Sequence, residues 1–199
     1  MPDHEGMANG LRMFVAVVPP DEALEHLDAF LEVRRDAAGF RWALIEQLHV
    51  TLAFLDAVPE RVLDDLVEGL GRAAAKRTSF DTRITGGGAF PTAADARILW
   101  AGFELDEHGR TELDRLATGA RAAASRAGVA VDGGRFQPHV TVARLRAPRD
   151  VVKWVRLLDG YAGPAWHADR IELVASYLGE GPGRRPRYET IDTLPLSPR

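Results

Sequence analysis

The chain has 199 residues, of which 46% are hydrophobic and 27% charged, with a formal net charge of −4 and no cysteine. That length and balance suit one globular domain, or two small lobes sharing a core, and argue against a disordered chain. The missing cysteines exclude disulfides, thiolate catalysis, iron–sulfur clusters and cysteine zinc sites and fit a reducing cytoplasm, while the net acidity argues against a non-specific grip on long nucleic acid.

Residues 1–10 carry acids and glycines and read as a loose tail rather than a signal peptide. No later run approaches the ~20 apolar residues of a membrane span, so no membrane partner is expected. Met13 to Val18 is β-rich and stops at Pro19-Pro20. Asp21 then stands where an N-cap would, ahead of Leu24, Leu27 and Leu31 at helical spacing. Leu48 to Leu55 reads as a strand, followed by a helix with Val62, Leu66, Leu70 and Ala73 on one face. Phe80 to Ala89 is a strand running through Gly86-Gly87-Gly88, read as a bend or close approach. Ile98 to Leu105 is another strand, ended by Asp106 and a helix carrying Leu113, Leu116, Ala120 and Ala123. Pro138 introduces a strand from His139 to Leu145, then a helix with Val151, Val155 and Leu158, then strands Ile171 to Leu178 and Arg187 to Leu194.

This order says the same thing twice: strand, helix, strand, helix, strand, at an offset near 139 − 49 = 90. The expected fold class is therefore α+β: an internally duplicated, bilobal domain over residues 11–195, with repeats at about 12–89 and 97–178 and a final strand 187–194. The strand-to-strand links at Ala89–Arg97 and Gly179–Pro186 lack room for a crossover helix. Two mainly antiparallel sheets should then line a central cleft, with helices outside. An internal two-fold removes any need for a dimer to build a site, so a monomer is expected.

Both copies carry one local motif, Leu48-His49-Val50-Thr51-Leu52-Ala53 and Pro138-His139-Val140-Thr141-Val142-Ala143. Strand side chains alternate, so each motif lays an imidazole and a hydroxyl side by side above an apolar layer. One His-x-Thr alone reads as a structural histidine; two at matched places read as a pair. Histidine's unperturbed pKa of ~6.5 lets one ring be neutral and the other protonated near pH 7. One can then take a proton from water while the other gives one to a leaving oxygen, with the threonines holding phosphate oxygens between them.

The remaining candidates are plainer. His4, His26, His108 and His167 read as surface or structural residues. No His-Glu-x-x-His, His-x-His or carboxylate cluster appears at ligand spacing, so neither a metal nor another cofactor is expected. Basic residues gather late in the chain, at Arg135, Arg144, Arg146, Arg149, Lys153, Arg156, Arg184, Arg185 and Arg187; taken singly each reads as solvated surface. Trp42, Trp100, Trp154 and Trp166 default to core, and Phe54 shares the parity of Val50 and Leu52 and does the same. Trp42 and Phe136 could instead stack on a base.

The two motifs, with Pro19-Pro20, Arg41-Trp42, Phe54-Leu55, Phe90-Pro91, Leu99-Trp100, Phe136-Gln137-Pro138, Ala143-Arg144, Ser176, Gly181-Pro182 and Tyr188, resemble the 2H phosphoesterase superfamily. Within it they are similar to the RNA 2',3'-cyclic phosphodiesterases, also called 2'-5' RNA ligase-like proteins. The chain departs from the family at Asp56 and at Gly86-Gly87-Gly88, both outside the acid–base set. The resemblance implies hydrolysis of a 2',3'-cyclic phosphate at an RNA 3' end, or in a small cyclic nucleotide, to a 2'-phosphate. It implies His49 as proton donor, His139 as proton acceptor, and Thr51, Thr141, Arg144 and Tyr188 at the substrate. Arg144 falls on the opposite face from Thr141 in an unbroken strand, so reaching the phosphate requires the strand to end or twist there. The alternatives are 2'-5' RNA ligation at the same site and a non-catalytic module that binds RNA ends or nucleotides.

Overall fold

A computed structural model describes residues 10–199; all but Gly10 of the expected N-terminal tail lies outside them. The described chain runs β1 (Leu11–Val17), α1 (Asp21–Glu32), β2 (Arg41–Trp42), β3 (Val50–Val58), α2 (Leu63–Ala74), β4 (Phe80–Pro91), β5 (Ala96–Glu104), α3 (Glu107–Arg126), β6 (Val140–Arg149), α4 (Val152–Asp159), β7 (Ala162–Ala168), β8 (Arg170–Tyr177) and β9 (Arg187–Pro195). The strands join in the order β7-β4-β5-β6-β3-β1-β8-β9, with β2 added to β6, and these ladders are antiparallel.

The centre of this sheet is its thinnest point. β3 and β6 pair at a single position, Val50 opposite Val140. The two expected sheets are thus the halves β9-β8-β1-β3 and β6-β5-β4-β7, hinged on that pair. The order is palindromic when β1 is matched with β5, β3 with β6, β8 with β4 and β9 with β7. Sequence halves and spatial halves differ, however, because β4 lies beside β5. The four residues Thr92–Asp95 between them allow only a hairpin, which draws the last strand of the first sequence half into the second half of the sheet. The helices cross over likewise: α1 packs on β7 and β4, and α3 packs on α2 and β3.

The helices form where apolar residues recur every three or four positions. Leu24, Leu27 and Leu31 of α1 are buried, as are Leu66, Leu70 and Ala74 of α2 and Leu113, Leu116, Ala120 and Ala123 of α3. Ala74 rather than Ala73 completes the α2 stripe. Pro20, not Asp21, is the N-cap of α1. Asp21 and Glu22 instead occupy the first turn, where carboxylates favour the positive end of the helix dipole. α3 has the side-chain cap that α1 lacks: Asp106 Oδ1 accepts the Gly109 N–H at 2.6 Å. Among the described residues no helix is long and apolar enough to cross a membrane.

Two strands escape the sequence pattern. β2 has only two residues, and β7 (Ala-Gly-Pro-Ala-Trp-His-Ala) has neither alternation nor β-branched side chains. β7 is an edge strand, where Pro164 can sit without removing a ladder bond. The triple glycine bends β4: Gly86 has φ +67°, and the register with β5 shifts between Ile84 and Gly87. A Cβ on Gly88 would collide with the Trp100 indole, so glycine is what lets that ring lie flat on the strand.

Candidate active site

The hinge pair also sets the site. Val50 and Val140 point into the core, so the flanking His49, Thr51, His139 and Thr141 face the other way, into an open cleft of about 530 Å³. Antiparallel register around that pair sets His49 alongside Thr141 and Thr51 alongside His139. Each half of the sheet thus contributes one imidazole and one hydroxyl, crosswise, to a shared floor.

Both imidazoles are oriented the same way. His49 Nδ1 lies 2.9 Å from the Gln47 carbonyl, and His139 Nδ1 lies 2.7 Å from the Gln137 carbonyl. A carbonyl oxygen only accepts, so each Nδ1 carries a hydrogen and each Nε2 is left to exchange protons in the cleft. The glutamines two residues before each histidine (Gln47-Leu48-His49 and Gln137-Pro138-His139) were a sequence signal as regular as the threonines. Gln47 does more: its Nε2 donates to the Pro186 carbonyl at 3.1 Å and its Oε1 accepts from the Leu44 N–H at 3.3 Å.

Packing separates the two rings. Phe14 stacks on His49, with centroids 4.4 Å apart and planes at 17°, and Tyr188 meets both edge-on at 4.9 and 5.6 Å. His139 has Phe90 edge-on at 4.9 Å and Trp100 at 6.1 Å. Burial, opposed in part by the Gln47 hydrogen bond, pushes the His49 pKa down to about 4, and the charges of His139 and Arg144 add to the effect. His139 is lowered for the same main reason but is less enclosed.

The depressed His49 makes stability pH-dependent. Its folded pKa lies below the unfolded value of 6.5, so the unfolded chain takes up a proton first as pH falls. The stability it contributes is complete above pH 6.5 and is lost as pH drops toward 4, by about 3 kcal/mol at 1.36 kcal/mol per unit. Urea unfolding should show wild type losing about that much more than His49→Gln between pH 7 and 4. Parallel stability curves for the two proteins would contradict it.

The reach of Arg144 into the cleft comes from a β-bulge. On β5, Leu99 faces Ala143 and the next residue, Trp100, faces Thr141, so Val142 is extra and the alternation flips. Val142 and Ala143 are both buried, and Arg144 emerges exposed on the His139 face. β3 does the same: Val15 faces Ala53 and Ala16 faces Thr51, leaving Leu52 extra. Phe54 therefore leaves the core face expected from its parity and stands 46% exposed in the cleft. Phe54 and Arg144 are matched positions, 144 − 54 = 90, so the near-symmetric site carries an aromatic ring on one side and a guanidinium on the other.

Of the other sequence candidates, Tyr188 lines the cleft beside His49. Trp42 lines it too but is only 8% exposed. Its indole N–H is shared between the Arg35 and Ala38 carbonyls, and its ring packs on Phe40 and Trp154. It is a wall of the cleft rather than a free stacking surface. Phe136 does not join the site: it packs against the core and lines a separate depression with Arg110, Asp114 and Arg135. The loop before His139 turns it away, with only the Gln137 backbone reaching the imidazole. Residues not read from sequence as part of the site are Phe14, Phe90, Arg12, Arg41 and Arg185.

The electrostatics point one way. Arg12, Arg41, Arg144 and Arg185 line the cleft, and among the described residues no aspartate or glutamate does. Among the described residues no group of three or more His, Asp or Glu side chains is placed to hold a metal ion. A cationic floor with two inward Nε2 atoms suits an anion that exchanges protons with its surroundings.

Fold and cleft together define a class, an α+β protein of matched halves presenting two imidazoles and, among the described residues, four guanidinia to one shared cleft. The chain belongs to the 2'-5' RNA ligase superfamily, whose family model matches residues 19–180. It is 31% identical to an RNA 2',3'-cyclic phosphodiesterase of Thermus thermophilus, across 94% of this chain and 90% of that one. It is 30% identical to a Geobacillus stearothermophilus protein of the same name, across 92% of this chain, which spans 56% of that relative's length. Among solved structures, E. coli LigT in its apo form superposes with a TM-score of 0.75 across 96% of this chain and 99% of that one, at 24% identity, a likeness of fold.

Proposed function

We propose that the protein hydrolyses 2',3'-cyclic phosphate ends of RNA to 2'-phosphates by metal-independent two-histidine acid–base catalysis. The observation that carries this is the matched pair of His-x-Thr strands facing one cleft that, among the described residues, is lined by four arginines and no carboxylate. The names of the relatives at 30 and 31% identity support the substrate.

In this reading the cyclic phosphate sits between the imidazoles, held by Thr51, Thr141 and Arg144. His139 Nε2 takes a proton from water as the water oxygen attacks phosphorus. The P–O3' bond breaks, and His49 Nε2–H gives its proton to the departing 3'-oxygen. A 3'-hydroxyl and a 2'-phosphate monoester remain. The role of His49 as donor agrees with its environment: the more desolvated imidazolium is the stronger acid, and an alkoxide leaving group needs one. Bound phosphate, an anion, raises both histidines and loads that proton.

Phe54, exposed beside Phe14 with centroids 6.4 Å apart, offers a face on which the terminal base can stack. Phe54→Ala should raise KM about 10-fold with kcat nearly unchanged, since a stacked base contributes ~1–3 kcal/mol that is the same in ground and transition states. A fall in kcat at constant KM would instead place Phe54 in the chemistry. Both histidines and both threonines come from one chain, which supports a monomer, and we assign it to the cytoplasm.

The test is to incubate the protein, with EDTA, with an RNA ending in a 2',3'-cyclic phosphate. A product with the mass of a monoester that resists a phosphatase specific for 3'-monoesters is the expected result. No turnover by folded protein would overturn the assignment.

A further inference from the structure

Beside Arg144, which the proposed chemistry uses, the cleft is bordered by arginines that it does not use. Arg41 on β2 is the direct cross-strand partner of Arg144 on β6, so the two share a face, and both line the cleft. Past the buried Leu145, Arg146 is exposed two residues further along β6 and does not line the cleft. The loop after β8 closes over this border: Arg41 Nη2 donates to the Arg184 carbonyl at 3.4 Å, and Arg185 Nη2 donates to the Trp42 carbonyl at 3.1 Å. Arg41, Arg144 and Arg185 thus line this side of the cleft, with Arg184 next in the loop and the exposed Arg146 next along β6. Among the described residues, none of the five has a carboxylate within ion-pair distance. Such a concentration is at odds with a chain of net charge −4.

We infer that this border is a backbone subsite for single-stranded RNA, holding phosphodiesters on the 5' side of the reacting nucleotide. The inference rests on the proposed cleft chemistry and deepens it: the substrate is a strand, not a lone cyclic nucleotide. Arg144 and Arg146 are two residues apart, at most about 7 Å along the backbone, a reach comparable to the step between successive phosphates of an extended polynucleotide. Guanidinium forks suit phosphate oxygens and read no base, so the grip is independent of sequence. The acidity of the rest of the molecule confines it to this side of the cleft.

Arg146 lies outside the reacting cleft and is the residue to change. Binding of labelled 2'-phosphate-ended RNAs of one and five nucleotides is measured by fluorescence anisotropy across a salt series, so the result stands whether or not the protein turns over a cyclic end. Wild type should bind the pentamer at least 10-fold more tightly than the monomer, with a steeper salt dependence. Arg146→Ala should weaken pentamer binding about 5-fold and reduce its salt slope by about 0.7, leave the monomer unchanged, and be largely restored by Arg146→Lys. Equal affinity of wild type for the two lengths, or equal loss on both in the variant, would overturn the subsite. A 5'-phosphorylated mononucleotide binding as tightly as the pentamer would also overturn it, in favour of a single-phosphate pocket. Turnover of a cyclic mononucleotide with a 5'-hydroxyl is the separate control on the cleft chemistry.

Discussion

His49→Ala and His139→Ala should each lower kcat on a 2',3'-cyclic phosphate end by about 10²–10⁴-fold, the range that one positioned acid or base contributes. The double variant should be little worse than either single one, because both act in the same proton-transfer step and their effects do not add. Binding of a 2'-phosphate product should survive in all three, since Thr51, Thr141 and Arg144 remain in the cleft. The two singles should differ in one respect. His49 is stacked on Phe14 and touched by Tyr188, so its loss opens a gap in an aromatic cluster. His139 meets Phe90 and Trp100 less closely. Only His49→Ala should therefore lower the melting temperature by a few degrees. Activity within 10-fold of wild type in either variant would remove that histidine from the mechanism, and lost product binding would mean that the imidazole grips rather than transfers protons.

The two histidines that share the cleft were legible in the sequence because their motif is written twice. A repeated His-x-Thr at a 90-residue offset needs no knowledge of the fold, and the parity argument places His and Thr together wherever the strand runs regularly. Parity failed where the strands bulge. Phe54 reads as core and Arg144 as facing away until Leu52 and Val142 are each seen as one residue too many. A bulge leaves no mark in the residues themselves; it is a property of the pairing with β1 and β5, which local sequence does not encode. Phe136, which the sequence offers as a stacking ring, packs outside the cleft for a related reason. A short irregular loop can turn its side chains either way, and only packing against the core decides. β2 and β7 were missed because an edge or a two-residue strand carries no alternation to read.

The matched position of Phe54 and Arg144 is also where the two halves of the site become chemically unequal, and Arg144 should therefore affect both rate and pH dependence. Its charge lies close enough to depress both His49 and His139. In the free protein both histidines titrate below 6.5, so the bell-shaped profile of kcat/KM should peak below pH 6.5, while the kcat profile, with the anionic phosphate bound, should lie at higher pH. Arg144→Ala removes the cleft-lining guanidinium proposed to hold the phosphate and should cost about 10²-fold in kcat/KM, the lower end for a preorganised donor to developing charge. The same change lifts a like charge from both imidazoles, so both pKa values rise and the optimum moves toward alkaline pH. Arg144→Lys separates the two effects: it keeps the charge and the acidic optimum but loses the two-pronged grip, and should recover only part of the rate. A 10²-fold loss in Arg144→Ala with an unmoved pH profile would mean that Arg144 contacts the phosphate without acting on the histidines. An alkaline shift with no loss of rate would mean that it sets their charge state from outside the phosphate site.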